Sequence, residues 1–269
     1  MKTRSWTPRL ELATIKNALG RIRRCDEYDR TIALYLDLME RCLVNRIYSE
    51  LESSHDPALR ADGRDWPTAA HTMIGAKRLA NVRFCVEDVL RKNVPGDLIE
   101  TGVWRGGARI LMRAILKAYD VSDRTVWVAD SFAGLPPPDP ARYPRDAGDP
   151  HHTFPHLRVS LDAVRENFAR YGLLDDQVRF LVGWFRDTLP VAPIASLAVL
   201  RLDGDLYEST MDALRSLYPK LSVGGYCIVD DYGALPTCRE AINDYRREHH
   251  IEETVEKVDW TGVYWRRSR

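Results

Sequence analysis

Apolar side chains recur at helical spacing between Thr31 and Tyr48, at Leu34, Tyr35, Leu38, Met39, Cys42 and Leu43, which predicts a helix carrying that stripe. The polar run SSHDPALRADGRD then breaks the pattern. A second helix is expected after Pro67, through AAHTMIGAKRLANVRFCVEDVL, because proline is well tolerated near a helix start. From Asp97 the rhythm changes to short apolar runs: DLIET, TVWVAD from Thr125, VRFLVG from Val178, LAVLRLD from Leu197 and GGYCIVDD from Gly224. Helical patterns follow Gly106, Leu157, Tyr207 and Pro236, the third with Met211, Leu214, Leu217 and Tyr218 on its inner face. Such alternation predicts an α/β fold, a parallel sheet with crossover helices on both faces. TVEKVD and GVYWRR, separated by Trp260 and Thr261, read as a closing antiparallel hairpin. Two parts result: a helical extension or cap over residues 1–95 and a core over 96–269.

The segment 133–156, AGLPPPDPARYPRDAGDPHHTFPH, is too long and proline-rich for an ordinary connection. A disordered linker would account for it. Its place directly after the second strand, where a ligand belongs, favours a substrate lid.

Composition narrows the function. The chain has 269 residues, 45% of them hydrophobic, enough for a substantial core. Lys+Arg and Asp+Glu both number 39, so the formal net charge is +0, and a nucleic-acid binder with its basic footprint is not expected. Five scattered cysteines (Cys25, Cys42, Cys85, Cys227 and Cys238) form no C-x-x-C pair, which favours a reducing compartment over a disulfide framework or zinc site. The start, MKTRSWTPRLEL, lacks the apolar stretch of a secretory signal, and no run approaches membrane-spanning length. A soluble, cytoplasmic protein without membrane contact is the expectation.

In a doubly wound sheet ligands bind beyond the carboxyl ends of the strands. The first strand ends in Glu100, Thr101 and Gly102, followed by Val103-Trp104-Arg105-Gly106-Gly107 and a helix. Glycines here permit a sharp turn and close approach of a ligand. The spacing E-x-G-x-x-x-G-G departs from the G-x-G-x-x-G of a dinucleotide site and favours a ligand with an amino-acid tail, although a purely structural turn has the same look. Asp130 and Ser131 close the second strand; Asp130 suits both hydroxyls of a ribose, or else caps a turn. Gly183 and Trp184 close the third, where an indole can stack on a base or simply fill the core.

The most informative groups are Asp203 in RLDGD and the pair Asp230-Asp231 in CIVDDYG, each at the end of a buried strand. If the strands are neighbours, about 4.8 Å separates their backbones and the carboxylates converge. Converging carboxylates repel unless a cation neutralises them, and hard oxygen ligands suit Mg²⁺. The competing reading is that Asp205 or Asp231 caps the following helix. Among histidines, His71 reads as a packing or hydrogen-bonding residue. His151 and His152, and Tyr207 after the Asp203 loop, are candidate substrate contacts, with a solvated loop pair and a helix-packing residue as the alternatives.

These motifs together resemble the macrocin O-methyltransferase family, the TylF/MycF-type sugar O-methyltransferases. The similar stretches are DWPTAAHTMIG, LIETGVWRGGA, VADSFAGLPPPD, RLDGDLYEST and LYPKLSVGGYCIVDDYGALP. The resemblance implies a class I methyltransferase (Rossmann-like) fold, a mostly parallel seven-stranded sheet. It implies S-adenosylmethionine as cofactor, contacted at Glu100, Thr101, Gly102, Asp130 and Ser131, with Thr72, Met73 and Ile74 packed against it. It places Mg²⁺ on Asp203, Asp230 and Asp231, with Asp203 as the base and also near the cofactor. A glycosylated natural product or sugar nucleotide is the implied acceptor, in antibiotic biosynthesis, and a homodimer or larger homo-oligomer the implied assembly. A catechol or other phenolic diol would chelate the same metal, and a non-catalytic binding module could share the fold; retention of three costly acids speaks against the latter.

Overall fold

The computed structural model describes residues 29–53 and 56–269. Cys25 and the charged start read above lie outside the described residues. Helix α1 runs through residues 29–43 and buries Ile32, Leu36, Met39 and Leu43. The stripe read from sequence is only half correct, since Leu34 and Leu38 are 62% and 53% exposed. The helix carries two apolar rows and the core covers one of them.

The polar break contains a short helix, α2 (Pro57–Asp62), that the expected pattern lacked. Asp56 caps it by accepting hydrogen bonds from the amides of Ala58 and Leu59, and Pro57 opens it. The next helix, α3 (Ala76–Arg91), starts nine residues later than Pro67 suggested. Segment 67–75 spends its backbone elsewhere: the Glu52 carboxylate accepts from the amides of Thr68 (2.5 Å), Ala69 (3.2 Å) and Ala70 (2.8 Å). The His71 amide donates to the Leu43 carbonyl at 2.9 Å. Groups so engaged cannot also form a helical ladder.

The core follows as β1 (Asp97–Thr101), α4 (Gly107–Ala118), β2 (Val126–Asp130), α5 (Leu161–Arg170), β3 (Val178–Val182), α6 (Phe185–Thr188), β4 (Leu197–Leu202), α7 (Tyr207–Leu217), β5 (Leu221–Val229), α8 (Pro236–Glu248), β6 (Glu256–Lys257) and β7 (Val263–Arg266). Strand β5 begins three residues before Gly224. The order across the seven-stranded sheet is β3-β2-β1-β4-β5-β7-β6, with β1 to β5 parallel and the closing pair antiparallel. The chain winds outward from β1 and returns to β4 at β1's other side, so a crevice opens between the ends of β1 and β4.

Apolar clusters cover both faces. One joins α1, α3 and α4 to Leu98, Val128 and Val199; the other sets Met211, Leu214, Leu217 and Tyr218 against Ile99, Leu200 and Cys227, as the α7 pattern foretold. No helix of the described residues is long and apolar enough to cross a membrane. The four described cysteines are free, and three of them are buried.

Candidate active site

The crevice holds a cavity of about 320 Å³ lined by the ends of β1 to β5. The strand ends step across it in register: the Gly102 amide donates to the Ala129 carbonyl (3.0 Å), Asp203 to Thr101 (2.9 Å) and Asp230 to Leu202 (2.9 Å). Glu100, Gly102, Asp130, Ser131, Gly183 and Trp184 all line this cavity. Gly102 has φ +85°, and a Cβ on it would overlap the Asp203 carbonyl oxygen, so only glycine fits. Trp104 and Phe132, in the loops after β1 and β2, also hold positive φ (44° and 55°), local strain of the kind that gathers at binding sites.

Asp130 serves its own turns. One carboxylate oxygen accepts from the Val103 amide at 2.5 Å and the other from the Phe132 amide at 2.7 Å. Each oxygen keeps a further lone pair for a ligand. Burial pushes the Asp130 pKa up despite those bonds. Thr72, Met73 and Ile74 line the same space; they are held by Arg60, which donates to the Met73 and Ile74 carbonyls, and by the His71 carbonyl, which accepts from the Gly107 amide at 2.9 Å. Thr101 is buried beneath the floor and does not reach the cavity lining.

Beneath the cofactor end runs a buried charge network that the sequence reading passed over. Register sets Glu100 on β1 beside Arg201 on β4, and Arg201 is fully buried. Its guanidinium contacts Glu100, Asp230 and, at 2.7 Å, Asp203. Arg109 of α4 holds Glu100 at 2.7 Å and also binds the Gly102 and Val103 carbonyls. Burial lowers the Arg109 pKa to about 9. Arg78 of α3 contacts Asp230 and, at 3.0 Å, Asp259. The signal was present: an arginine inside the apolar run LAVLRL and another inside GARILMRAIL must find partners or be expelled.

The arginines change the expected trio. Asp203 and Asp231 come together as predicted, but both Asp230 oxygens face arginines. Asp205 stands third: one carboxylate oxygen from each of Asp203, Asp205 and Asp231 lies within 4.8 Å of the others. Burial and then repulsion by neighbouring carboxylates raise the pKa of all three, that of Asp205 to about 7. Asp205 does not cap α7, as one reading had it. Asp146, fully buried in the long loop, does so by accepting from the amides of Tyr207 (2.7 Å) and Glu208 (2.9 Å).

That loop is no free tether. Three single-turn 3₁₀ segments, Pro144–Asp146, His151–Thr153 and Pro155–Leu157, punctuate it. Trp104 donates its indole N–H to the His156 carbonyl at 2.8 Å, and Arg145 pairs with Glu240 and Asp244. His151 lines the cavity with its ring against Asp149, whereas His152 does not line it, and its Nδ1 is buried without a hydrogen-bond partner among the described residues. Tyr207 also lies outside the lining: its hydroxyl donates to Asp244 at 3.1 Å. His71 bonds the Tyr171 hydroxyl at 2.7 Å, the structural role expected of it.

A sheet of this order, with glycine turns and an acid at successive strand ends around one crevice, defines a class I methyltransferase. The profile of Macrocin-O-methyltransferase (TylF) matches residues 50–267, and the chain belongs to that family of O-methyltransferases. It is 54% identical over 261 residues to demethyldecarbamoylnovobiocin O-methyltransferase of Streptomyces niveus, covering 92% of this chain and 98% of that protein. It is likewise 54% identical over 248 residues to mycinamicin III 3''-O-methyltransferase of Micromonospora griseorubida, covering 88% and 97%. The solved structure of the O-methyltransferase NovP superposes with a TM-score of 0.86 at 56% identity, over 88% of this chain and 100% of that one. The family implies S-adenosylmethionine as methyl donor, and the glycine turns, Asp130 and Trp184 line the same cavity as the carboxylate cluster.

Proposed function

We propose that this chain transfers the methyl group of S-adenosylmethionine to a sugar hydroxyl of a glycosylated natural product, with Mg²⁺ held at the carboxylate cluster. The observation that carries the reading is the convergence of Asp203, Asp205 and Asp231 in the cavity that the cofactor turns also line. The donor set is all oxygen, in keeping with Mg²⁺. Asp231 Oδ2 is buried with no hydrogen-bond partner among the described residues, a group that a cation would satisfy. Both Asp230 oxygens are taken by Arg78 and Arg201, so the carboxylates that converge are Asp203, Asp205 and Asp231, with Asp230 lining the cavity beside them.

When bound, the cation polarises the acceptor hydroxyl and offsets the crowded negative charge. Asp203, oriented by Arg201, accepts the hydroxyl's proton at the rim of β4, between cofactor and acceptor. Asp130 and Trp184 hold the nucleoside, and the loop over 133–156 walls the acceptor from water. Both relatives described above are named for glycosides, which supports a sugar over a phenolic diol.

The test is direct. The chain is incubated with S-adenosylmethionine, Mg²⁺ and either demethyldecarbamoylnovobiocin or mycinamicin III, and products are read by mass for one added methyl group. Transfer that is abolished by EDTA and restored by Mg²⁺ is expected. Full activity after EDTA removes the cation from the scheme, and transfer to a catechol but to no glycoside removes the sugar.

A further inference from the structure

An aspartate and a histidine form an oriented pair in the wall of the cavity. His151 Nδ1 lies 2.8 Å and 2.9 Å from the two carboxylate oxygens of Asp149, and the His151 amide donates to the same carboxylate at 2.9 Å. An imidazole whose Nδ1 hydrogen faces a carboxylate presents Nε2 as a bare acceptor. The ring is steadied edge-on by Phe154, with centroids 5.3 Å apart. His151 lines the cavity that also contains Asp203, Asp205 and Asp231, and its side chain keeps 26% exposure, so a proton taken there has a way out to water.

The pair is not adrift on a loop. Three residues before Asp149, Asp146 caps α7, the helix that follows directly on the Asp203–Asp205 turn, and the Asp149 amide donates to the Asp146 carbonyl at 3.1 Å. Asp149 and the start of α7 are therefore linked through Asp146. Asp203, by contrast, already has an oxygen bound to Arg201 and others of its kind crowding it. His151 Nε2 adds a further proton acceptor to the wall of the same cavity.

We propose that His151, oriented by Asp149, is a second catalytic proton acceptor for methyl transfer, an assignment that rests on the glycoside-methylating reading above. The acceptor's O–H bond breaks with its proton passing to Nε2. The oxygen's electron pair forms the new bond to the methyl carbon, and the S–CH₃ bond breaks with its pair going to sulfur. The products are the methyl ether, S-adenosylhomocysteine and an imidazolium against the Asp149 carboxylate, which then releases its proton to solvent.

The experiment uses the full chain with the glycoside that turns over in the assay above. His151→Ala lowers kcat about a hundredfold, the ordinary contribution of a positioned base. It leaves S-adenosylhomocysteine affinity and Tm unchanged, and added imidazole restores part of the rate. Asp149→Asn, which keeps the shape but removes the orienting charge, lowers kcat in the same direction without imidazole rescue. Unchanged kcat in His151→Ala, or a loss seen only as a raised KM for the glycoside and indifferent to imidazole, overturns the assignment while leaving the proposed function intact. Failure of the unaltered chain to methylate any glycoside sinks both.

Discussion

Replacing Arg201 by methionine tests the charge network most sharply. The guanidinium is fully buried and meets one carboxylate from each of three strand ends: Glu100, Asp203 and Asp230. Removing one member of a buried pair costs about 3–5 kcal/mol, because the stranded charge stays desolvated. Two of the three carboxylates keep another cation, Arg109 for Glu100 and Arg78 for Asp230, which places the expected loss toward the lower end, about 3–4 kcal/mol. In thermal unfolding that corresponds to a Tm lower by about 10 °C for a chain of this size. Because the freed carboxylates border the cation site, Mg²⁺ should restore more stability to Arg201→Met than to the unaltered chain. Pairing the change with Glu100→Gln should cost less than the sum of the two alone, since they share one interaction. A loss under about 1 kcal/mol, typical of an exposed ion pair, would refute the reasoning.

Two further outcomes are expected. Asp146→Ala deletes the α7 cap and should cost about 1–2 kcal/mol in denaturant unfolding, and Asp146→Asn, which keeps one acceptor oxygen for one of the two amides and turns an NH₂ toward the other, should recover only part of that loss; an unchanged midpoint in Asp146→Ala would argue against capping. Burial, then the nearby Glu208 charge, raises the Asp212 pKa to about 6. The folded chain therefore holds that proton more tightly than the unfolded one, so the stabilisation is full below about pH 4 and is lost as pH rises through 6. Asp212→Asn should match the unaltered chain at acid pH and exceed it by about 1 kcal/mol at pH 7, a figure reduced for the side chain's partial exposure; parallel stability curves would exclude this origin.

The parts of the fold that were legible in the sequence are those in which local pattern and tertiary burial agree. Strands β2 and β4 lie where TVWVAD and LAVLRLD said they would, because a strand covered on both faces is apolar along most of its length. The N-terminal half was less legible, for a physical reason. Residues 67–75 have helical-looking composition, but the Glu52 carboxylate takes their amides from seventeen residues away in the chain, and no local periodicity records such a bond. The apolar rows of α1 are likewise ambiguous until packing selects one.

The site divides along the same line. Carboxylates at strand ends announce themselves, since topology alone carries Asp203 and Asp231 to one rim. Which acids converge there is decided by cations distant in sequence: Arg78 comes from a helix more than a hundred residues before Asp230. Its pull, joined to that of Arg201, turns Asp230 toward the sheet and leaves Asp205 facing the cavity. A pattern of acids alone could not anticipate that exchange. A buried arginine in the strand, which demands anionic partners, was the clue that could have done so.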